Sequence, residues 1–287
     1  MYTLKIHQRG EIGKSEGVDM QSEKSRVKEF WNAASCGERQ FLSSDTTDAY
    51  EAQALERYRL EPYISGFARF DECNGRRVLE VGVGLGADHE RFAKAGADLF
   101  GIDLTERAIS HVRKRFAQAG LKSNLQVADA ECLPFEDDSF DVVYSWGVIH
   151  HSPDTALAVA EIHRVLRSGG SARVMIYNYW SIVGWMLWVR YGLMKLRPWM
   201  SLAEAYDRYL ESPGTKAYTP KEARLLFRDF SEVSIRTVLT HGDLLESAAG
   251  QRHRGPLLTF ARLVWPRWIL RKVAPRSGLF MMIDATK

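Results

Sequence analysis

A glycine-rich turn between an apolar run and a helical segment most strongly constrains the fold of this chain. The apolar run 78–81 leads directly into Gly82-Val83-Gly84-Leu85-Gly86, and a helical pattern follows from Ala87 to Ala95. Glycine lets the backbone turn sharply and approach a ligand closely. The N-terminus of the next helix then offers unpaired N–H groups to an anionic group. The pattern predicts a strand, a tight turn and a helix that together bind a ligand.

An acid at the end of the next apolar run indicates the kind of ligand. The run 99–102 ends at Asp103, roughly 20 residues after Gly82, where a carboxylate can accept hydrogen bonds from ribose hydroxyls. The spacing therefore predicts a ligand that contains a nucleoside. Because Gly82, Gly84 and Ala87 also satisfy the dinucleotide fingerprint GxGxx(G/A), the turn alone leaves the nucleoside open.

Strand-like and helical segments alternate through the middle of the chain. A helix is predicted from Thr105, an N-cap type of residue, to Ala119, with Gly120 after it. Asp154 begins a second predicted helix, which runs to Arg167. Further strands are predicted at 125–128, 140–144, 172–177, 233–239 and 278–284. This alternation favours a parallel sheet with right-handed crossovers.

The remaining helices are predicted from caps and apolar spacing. Thr219-Pro220-Lys221-Glu222 is a capping box that opens a helix through Phe227. Apolar spacing predicts a helix from Ser25 and another from Tyr50 to Phe70. The second of these can pack on the sheet, cover the ligand cleft, or do both.

Bulk properties exclude several classes of protein. The 287 residues fit one large domain or one domain with additions, and a net charge of +3 is too small to indicate nucleic-acid binding. The three cysteines, Cys36, Cys73 and Cys132, form no CxxC pair, so we expect neither a disulfide framework nor a metal site. We expect a reduced, cytoplasmic compartment. The N-terminus has no apolar signal core, and no apolar run reaches the roughly 18 residues of a membrane span.

With these residues in place, the chain resembles the class I S-adenosylmethionine-dependent methyltransferases, and in particular the branch of the ubiquinone and menaquinone pathways. The resemblance covers about 77–178 and the closing strands. It is carried by Glu80 to Gly86, Asp103, Asp129-Ala130, Leu133-Pro134-Phe135-Glu136-Asp137-Asp138-Ser139-Phe140-Asp141 and His150-His151. It implies an α/β fold: a doubly wound, mostly parallel, seven-stranded sheet whose last strand is antiparallel, with N-terminal helices and helical inserts that form a cap.

The resemblance also implies the cofactor and the residues that bind it. S-adenosylmethionine would have its methionine end against Glu80, Gly82, Gly84 and Gly86. The ribose would lie at Asp103 and Leu104, and the adenine at Asp129 and Ala130. Ser145 and Trp146 would contact the cofactor by backbone or by packing. Glu80 and Asp129 have no counterpart in the dinucleotide pattern, so the resemblance favours a methyltransferase over a dehydrogenase.

Two histidines are the candidates for a catalytic base. His150 and His151 follow the fourth predicted strand, at the edge of the sheet where such sites form. A histidine suits proton removal near neutral pH. They can instead be structural, and we prefer His150 to His151 as the base. If it is the base, His150→Ala lowers turnover more than cofactor affinity.

Two inserts point to the acceptor. Six of the eight tryptophans fall within 179–219 and 241–277, and no acid occurs between Glu246 and Asp284. Tryptophan and basic residues on apolar helices are typical of interfacial binding. We therefore expect a small hydrophobic, aromatic or lipid- or glycoside-like acceptor, as in natural-product metabolism.

Membrane contact at the inner face and pairing in a homodimer are further options for these inserts. The alternative function is a peptide or protein methyltransferase whose inserts contact the partner. Candidate acceptor-binding residues are Trp31, Tyr50, Tyr177 and Trp180.

These observations divide the chain into seven segments. They are a flexible arm at 1–24, a helical cap at 25–70, the cofactor-binding core at 71–178, a helical substrate-cap insert at 179–219, a core helix and strand at 220–240, a basic amphipathic insert at 241–277 and the closing strand at 278–287.

Overall fold

The computed structural model describes residues 15–212, 214–246, 259 and 262–287, with the side chains of 15–19 left out. Residues 1–14 of the predicted arm, and Arg252, Arg254, Leu257, Leu258 and Phe260 of the second insert, lie outside the described residues.

Seven strands form one sheet in the order β3-β2-β1-β4-β5-β7-β6. The strands are β1 Arg77–Val81, β2 Asp98–Asp103, β3 Asn124–Val127, β4 Phe140–Trp146, β5 Leu166–Tyr177, β6 Glu232–Val238 and β7 Phe280–Thr286. Strands β1 to β5 pair in parallel, and β7 runs antiparallel to both β5 and β6. The predicted doubly wound, seven-stranded sheet with an antiparallel last strand is confirmed.

Helices cover both faces of the sheet because successive strand residues point to opposite sides. On one face, Val78 and Val142 pack with α5 Ala87–Lys94 and α6 Glu106–Ala119. On the other, Leu79 and Val143 pack with α7 Thr155–Val165 and α10 Pro220–Leu226. This burial on both faces explains why most residues of β1 and β4 are apolar.

The predicted helix boundaries follow the capping residues. The Thr105 hydroxyl accepts a hydrogen bond from the N–H of Ala108, and Gly120 ends α6 with a φ of 66°. Thr219 and Glu222 form the reciprocal capping box of α10. The boundary between α7 and β5 was predicted wrongly. The helix ends at Val165, and β5 begins at Leu166 because Leu166 pairs with Phe140 of β4. Residues 167–170 lie in an irregularity of the strand, before Ser171 resumes the pairing with β4.

The N-terminal region also differs from the prediction. Helix α1 spans Ser15–Ala33, so residues 15–24 are helical and the arm boundary at residue 24 was wrong. The predicted helix from Tyr50 to Phe70 divides around Glu61 and Pro62 into two helices. The helices that follow α1 are α2 Glu38–Phe41, α3 Thr47–Leu60 and α4 Tyr63–Ala68, and a 3-10 turn lies at Phe70–Cys73.

The described residues of the inserts include further helices. Helices α8 Ile182–Tyr191 and α9 Leu202–Tyr209 follow β5, and α11 Arg267–Val273 precedes β7. Among the described residues, every helix is too short or too polar to cross a lipid bilayer.

Candidate functional site

A cavity of about 1200 Å³ lies at the carboxyl ends of β1, β2 and β4. This is the edge of a parallel sheet where α/β proteins bind ligands. The loops after these strands form one side, and helices α1, α3 and α8 contribute to the other. Pockets for one small molecule usually enclose about 300–1,000 Å³, so this cavity has room for more than one ligand.

The glycine turn lines one end of the cavity, and its backbone requires glycine. Gly82, Gly84 and Gly86 have φ values of 86°, 50° and 78°, which L side chains rarely adopt. A Cβ on Gly82 would lie 2.1 Å from a methyl group of Val148. A Cβ on Gly84 would meet no protein atom within 4 Å, so the backbone at Gly84 borders open space in the cavity.

The acid predicted to bind ribose is fixed beside this turn. Asp103 Oδ1 accepts hydrogen bonds from the Thr105 N–H at 3.0 Å and hydroxyl at 2.8 Å, and Oδ2 accepts from the Gly84 N–H at 3.3 Å. Burial raises the pKa of Asp103, while these hydrogen bonds oppose that shift. Leu104 lies next to it on the cavity wall. The Asp103 carboxylate therefore links the glycine turn, through Gly84, to Thr105 just after β2.

Glu80 forms a buried hydrogen-bond chain with His89 and Ser123. The Ser123 hydroxyl donates to the Leu99 carbonyl at 3.0 Å, so its 2.8 Å contact with His89 Nε2 is donated by the imidazole. Burial lowers the pKa of His89 to about 3, which keeps the ring neutral. His89 Nδ1 then accepts from Glu80 Oε2 at 2.8 Å, and burial raises the pKa of Glu80 well above its usual range. Glu80 therefore carries a proton in this arrangement.

The predicted adenine end is covered by α1. Asp129 and Ala130 line the cavity, and Lys24 donates to Asp129 Oδ2 and Glu131 Oε2, each at 2.5 Å. The Glu131 N–H donates to Asp129 Oδ1 at 2.9 Å. Lys24 belonged to the predicted arm, and no sequence motif related it to this end of the cavity.

Of the two residues predicted at the end of β4, only Trp146 lines the cavity. Its ring lies against Tyr63, with 6.0 Å between centroids. The Ser145 side chain is fully buried and does not line the cavity, because adjacent strand residues point to opposite faces. The predicted contact of Ser145 with the cofactor therefore has no support from its side chain.

The two histidines predicted as candidate bases occupy different environments. His150 is fully buried and absent from the cavity wall, with its ring 4.0 Å from that of Tyr177. His151 does line the cavity, and its Nε2 lies 3.5 Å from Glu211 Oε2. The two residues follow one another in a 3-10 turn, Ile149–His151, so only one of them can face the cavity directly.

Two of the four predicted acceptor-binding residues line the cavity, and two do not. Trp31 and Tyr177 line the cavity, and the Trp31 ring lies 5.4 Å from that of His151. Tyr50 lies elsewhere, with its hydroxyl 2.9 Å from His111 Nδ1. Trp180 is half-exposed beside Trp185 and does not line the cavity. Tyr50 lies in α3 and Trp180 in the turn before α8, and the sequence pattern does not tell which side chains of such segments meet the cavity.

Three acids near the cavity carried no sequence motif that assigned them to it. Glu61 lies 3.3 Å from Arg57, and burial raises the pKa of its carboxyl to about 7. Asp88 accepts from Arg57 at 2.6 Å and from the Tyr58 and Tyr144 hydroxyls at 2.8 and 2.9 Å. An acid in the first turn of a helix interacts favourably with the helix dipole, and this position was the only sequence feature that distinguished Asp88.

The third acid, Glu211, lies at the end of the cavity away from the glycine turn. Its Oε2 accepts a hydrogen bond from the Tyr177 hydroxyl at 2.7 Å. Burial works to raise the pKa of Glu211, but His151 and Tyr177 together hold that pKa below its usual value. Glu211 follows α9 in the first insert, about 130 residues away from the glycine turn in the chain, so no local spacing could relate the two.

The far end of the cavity is an apolar chamber. Its wall comes mainly from α8 and the residues around it. The lining side chains are Ile182, Val183, Trp185, Met186, Leu187, Val189, Met194, Leu245 and Trp265, together with Phe30 of α1. This chamber is continuous with the glycine turn through Trp146, Tyr177 and His151.

Comparison with known proteins agrees with this geometry. The family described as "Methyltransferase domain" matches residues 79–174. The chain is 38% identical over 122 residues to a fatty-acid O-methyltransferase of Mycolicibacterium smegmatis, covering 42% of this chain and 43% of that protein. It is 37% identical over 97 residues to a ubiquinone biosynthesis O-methyltransferase of Aromatoleum aromaticum, covering 33% of this chain and 42% of that protein. The matches span less than half the length of these curated relatives.

A solved structure extends the likeness in fold. The phosphoethanolamine N-methyltransferase 2 of Haemonchus contortus superposes with a TM-score of 0.57 at 18% identity, covering 91% of this chain and 60% of that one. The sheet order, the glycine turn and the family match together define a Rossmann-like methyltransferase fold. Residues 79–174 match a methyltransferase domain, and the sheet has the class I S-adenosylmethionine-dependent methyltransferase fold that the sequence predicted.

Proposed function

We propose that this protein transfers a methyl group from S-adenosylmethionine to a small hydrophobic acceptor. The observation that carries the proposal is that one cavity joins the glycine turn to the apolar chamber. The residues fit the cofactor: the backbone at Gly84 leaves open space, and Asp103 lies beside it with a fixed carboxylate. S-adenosylmethionine supplies the activated methyl group when it is bound.

The protein's own contribution to such a transfer is alignment and exclusion of water. Trp146 and Tyr177 lie between the two ends of the cavity, where cofactor and acceptor would meet. His151 and Glu211 border the same place and lie 3.5 Å apart, so they can position a polar group of the acceptor. A base is needed only if the attacking atom of the acceptor carries a proton that must leave.

The chamber lining favours an aromatic or lipid-like acceptor over a polar one. Met186 and Leu187 of α8 offer apolar surface, which is the usual lining of small-molecule sites. Fatty-acid and ubiquinone methyltransferases among the relatives are compatible with such an acceptor.

Two experiments test the activity and the acceptor class. Calorimetry should detect binding of S-adenosylhomocysteine and no comparable binding of NADH; binding of NADH alone would overturn the cofactor assignment. Incubation of the protein with cell extract and methyl-labelled cofactor should then place the label in the organic-soluble fraction. Label in the protein fraction would instead support a peptide or protein methyltransferase.

We further propose that the rim of the chamber contacts an anionic membrane, at the cytoplasmic face. Trp185, Val189 and Met194 both line the cavity and expose 40–55% of their surface. The exposed apolar residues nearby are Leu193, Leu196 and Trp199, and α11 adds Trp268, Ile269 and Val273. Arg190, Lys195, Arg197 and Lys272 give these segments positive charge. Apolar and basic residues in one surface are typical of interfacial binding.

Liposome flotation tests this surface. The protein should rise with vesicles that contain phosphatidylserine, less so with neutral vesicles, and Trp199→Ser with Trp268→Ser should reduce flotation. Lys221→Ser with Lys114→Ser, which lie outside the inserts, is the control for charge alone. Protein that stays at the bottom and sediments as a dimer would assign the surface to a second copy of the chain.

A further inference from the structure

The cluster formed by His150, His151 and Glu211 has an unusual hydrogen-bond inventory. Both ring nitrogens of His150 and Nε2 of His151 are buried and have no hydrogen-bond partner among the described residues. Buried polar atoms are nearly always paired, and an unpaired one indicates a missing water, an ion or a functional role. Three such nitrogens in adjacent side chains point to a ligand that binds nitrogen.

The tautomer of His151 follows from its neighbours. The Thr215 hydroxyl donates its single proton to the Ser212 carbonyl at 2.7 Å, so its 3.1 Å contact with His151 Nδ1 requires a proton on that nitrogen. The Ser212 hydroxyl lies 2.9 Å from the same Nδ1. When the ring is neutral, Nε2 therefore carries a lone pair, and it faces Glu211.

The distances in the cluster suit a divalent metal ion. One donor atom from each of the three residues lies within 4.8 Å of the others, and His151 Nε2 is 3.5 Å from Glu211 Oε2. Metal–ligand bonds of about 2.1 Å place two ligands of a tetrahedral site about 3.4 Å apart. A bare lone pair and a carboxylate at this distance repel each other unless a proton or a cation lies between them.

The surroundings of the cluster also match those of metal ligands. A ligating histidine usually donates its other N–H to a fixed acceptor, and a ligating carboxylate is usually hydrogen-bonded. Here His151 Nδ1 contacts Thr215 and Ser212, and Glu211 accepts from the Tyr177 hydroxyl at 2.7 Å. The Tyr177 and Trp31 rings exclude water from one side.

We propose that His150, His151 and Glu211 bind one divalent cation of the zinc type at the acceptor end of the cavity. Imidazole ligands favour zinc and its neighbours over magnesium, which prefers oxygen ligands. Two histidines and one glutamate leave a fourth position open, as in catalytic zinc sites. Because His151 and Glu211 line the cavity, that position would be accessible to an oxygen or sulfur atom of the acceptor. This last role rests on the proposed function, whereas metal binding itself does not.

The test is calorimetric titration of the chelator-stripped full chain with Zn²⁺, without cofactor. We expect one ion per chain, a raised thermal midpoint, and no comparable binding of Mg²⁺. The variants His150→Ala, His151→Ala and Glu211→Gln should each lose binding. His163→Asn, which removes a histidine that packs on Phe230 outside the cluster, should retain it.

Two further measurements keep the test decisive if a variant is unstable. Glu211→Gln preserves side-chain shape, and its fold is checked by circular dichroism in the presence of chelator. Thr215→Val should weaken zinc binding roughly 10–100-fold by releasing the His151 tautomer, without removing a ligand. Absence of zinc binding by the stripped chain, or binding that survives all three ligand variants, would overturn the proposal. Either result would leave S-adenosylhomocysteine binding, and thus the proposed function, unaffected.

Discussion

The two ends of the cavity are built in different ways. The glycine end comes from β1, β2 and the loops after them, so nearly all its residues lie between Glu80 and Ala130. The acceptor end draws on α1, the segment after α3, the end of β5, α8 and the residues after α9. Neighbouring residues can specify the first end through local rules, whereas the second exists only after distant segments have packed. The following predictions test this contrast.

The largest effect is expected at the glycine end. Gly84→Ala places a methyl group in the open space that we assign to the cofactor, so S-adenosylhomocysteine affinity should fall more than about 100-fold, or about 2.8 kcal/mol. Calorimetry measures the change. The matched control is Gly120→Ala, because Gly120 also has a positive φ and open space but lies outside the cavity. Equal losses in both variants would mean that backbone strain alone is responsible.

An intermediate effect is expected from Glu61 at the acceptor end. Its folded-state pKa of about 7 lies above the usual 4.5, so its stabilising contribution is complete below about pH 4.5 and is lost as the pH rises through 7. Glu61→Gln cannot ionise and should therefore stabilise the protein by about 2 kcal/mol at pH 8 and by little at pH 4. Urea unfolding at both pH values measures this difference.

The control for Glu61 is Glu51→Gln on the exposed side of α3, where a surface substitution should change stability little. A gain for Glu61→Gln that is equal at pH 4 and pH 8 would contradict the assigned pKa.

The smallest effects separate two tyrosines that looked equivalent in sequence. Tyr177→Phe removes the hydrogen bond to Glu211, and Tyr50→Phe removes the one to His111. Each should cost about 1 kcal/mol of stability by chemical denaturation. Only Tyr177→Phe should also reduce the rate of methyl transfer, because only Tyr177 lines the cavity. A rate loss in Tyr50→Phe that matches that of Tyr177→Phe would break the distinction.

Much of the fold could be predicted because its signals are local. Thr105, Gly120 and the Thr219 capping box marked helix ends that the structure reproduces within a residue or two. The start of β5 was missed because it depends on the pairing of Leu166 with Phe140 of β4, which local propensity does not reveal. The predicted start of helix α1, at Ser25, was ten residues too late, since the helix begins at Ser15. The stretch in between is polar and has no apolar spacing that would indicate a helix.

The sequence by itself determined the glycine end: a tight turn at Gly82, Gly84 and Gly86, followed by an acid after the second strand, can be predicted from residue spacing. Only the tertiary structure decided the acceptor end. Among the residues named above, His151, Glu61 and Glu211 line the cavity, whereas His150, Tyr50 and Trp180 do not. The physical reason is that periodicity fixes which residues share a face, whereas the packing of distant segments decides what that face meets.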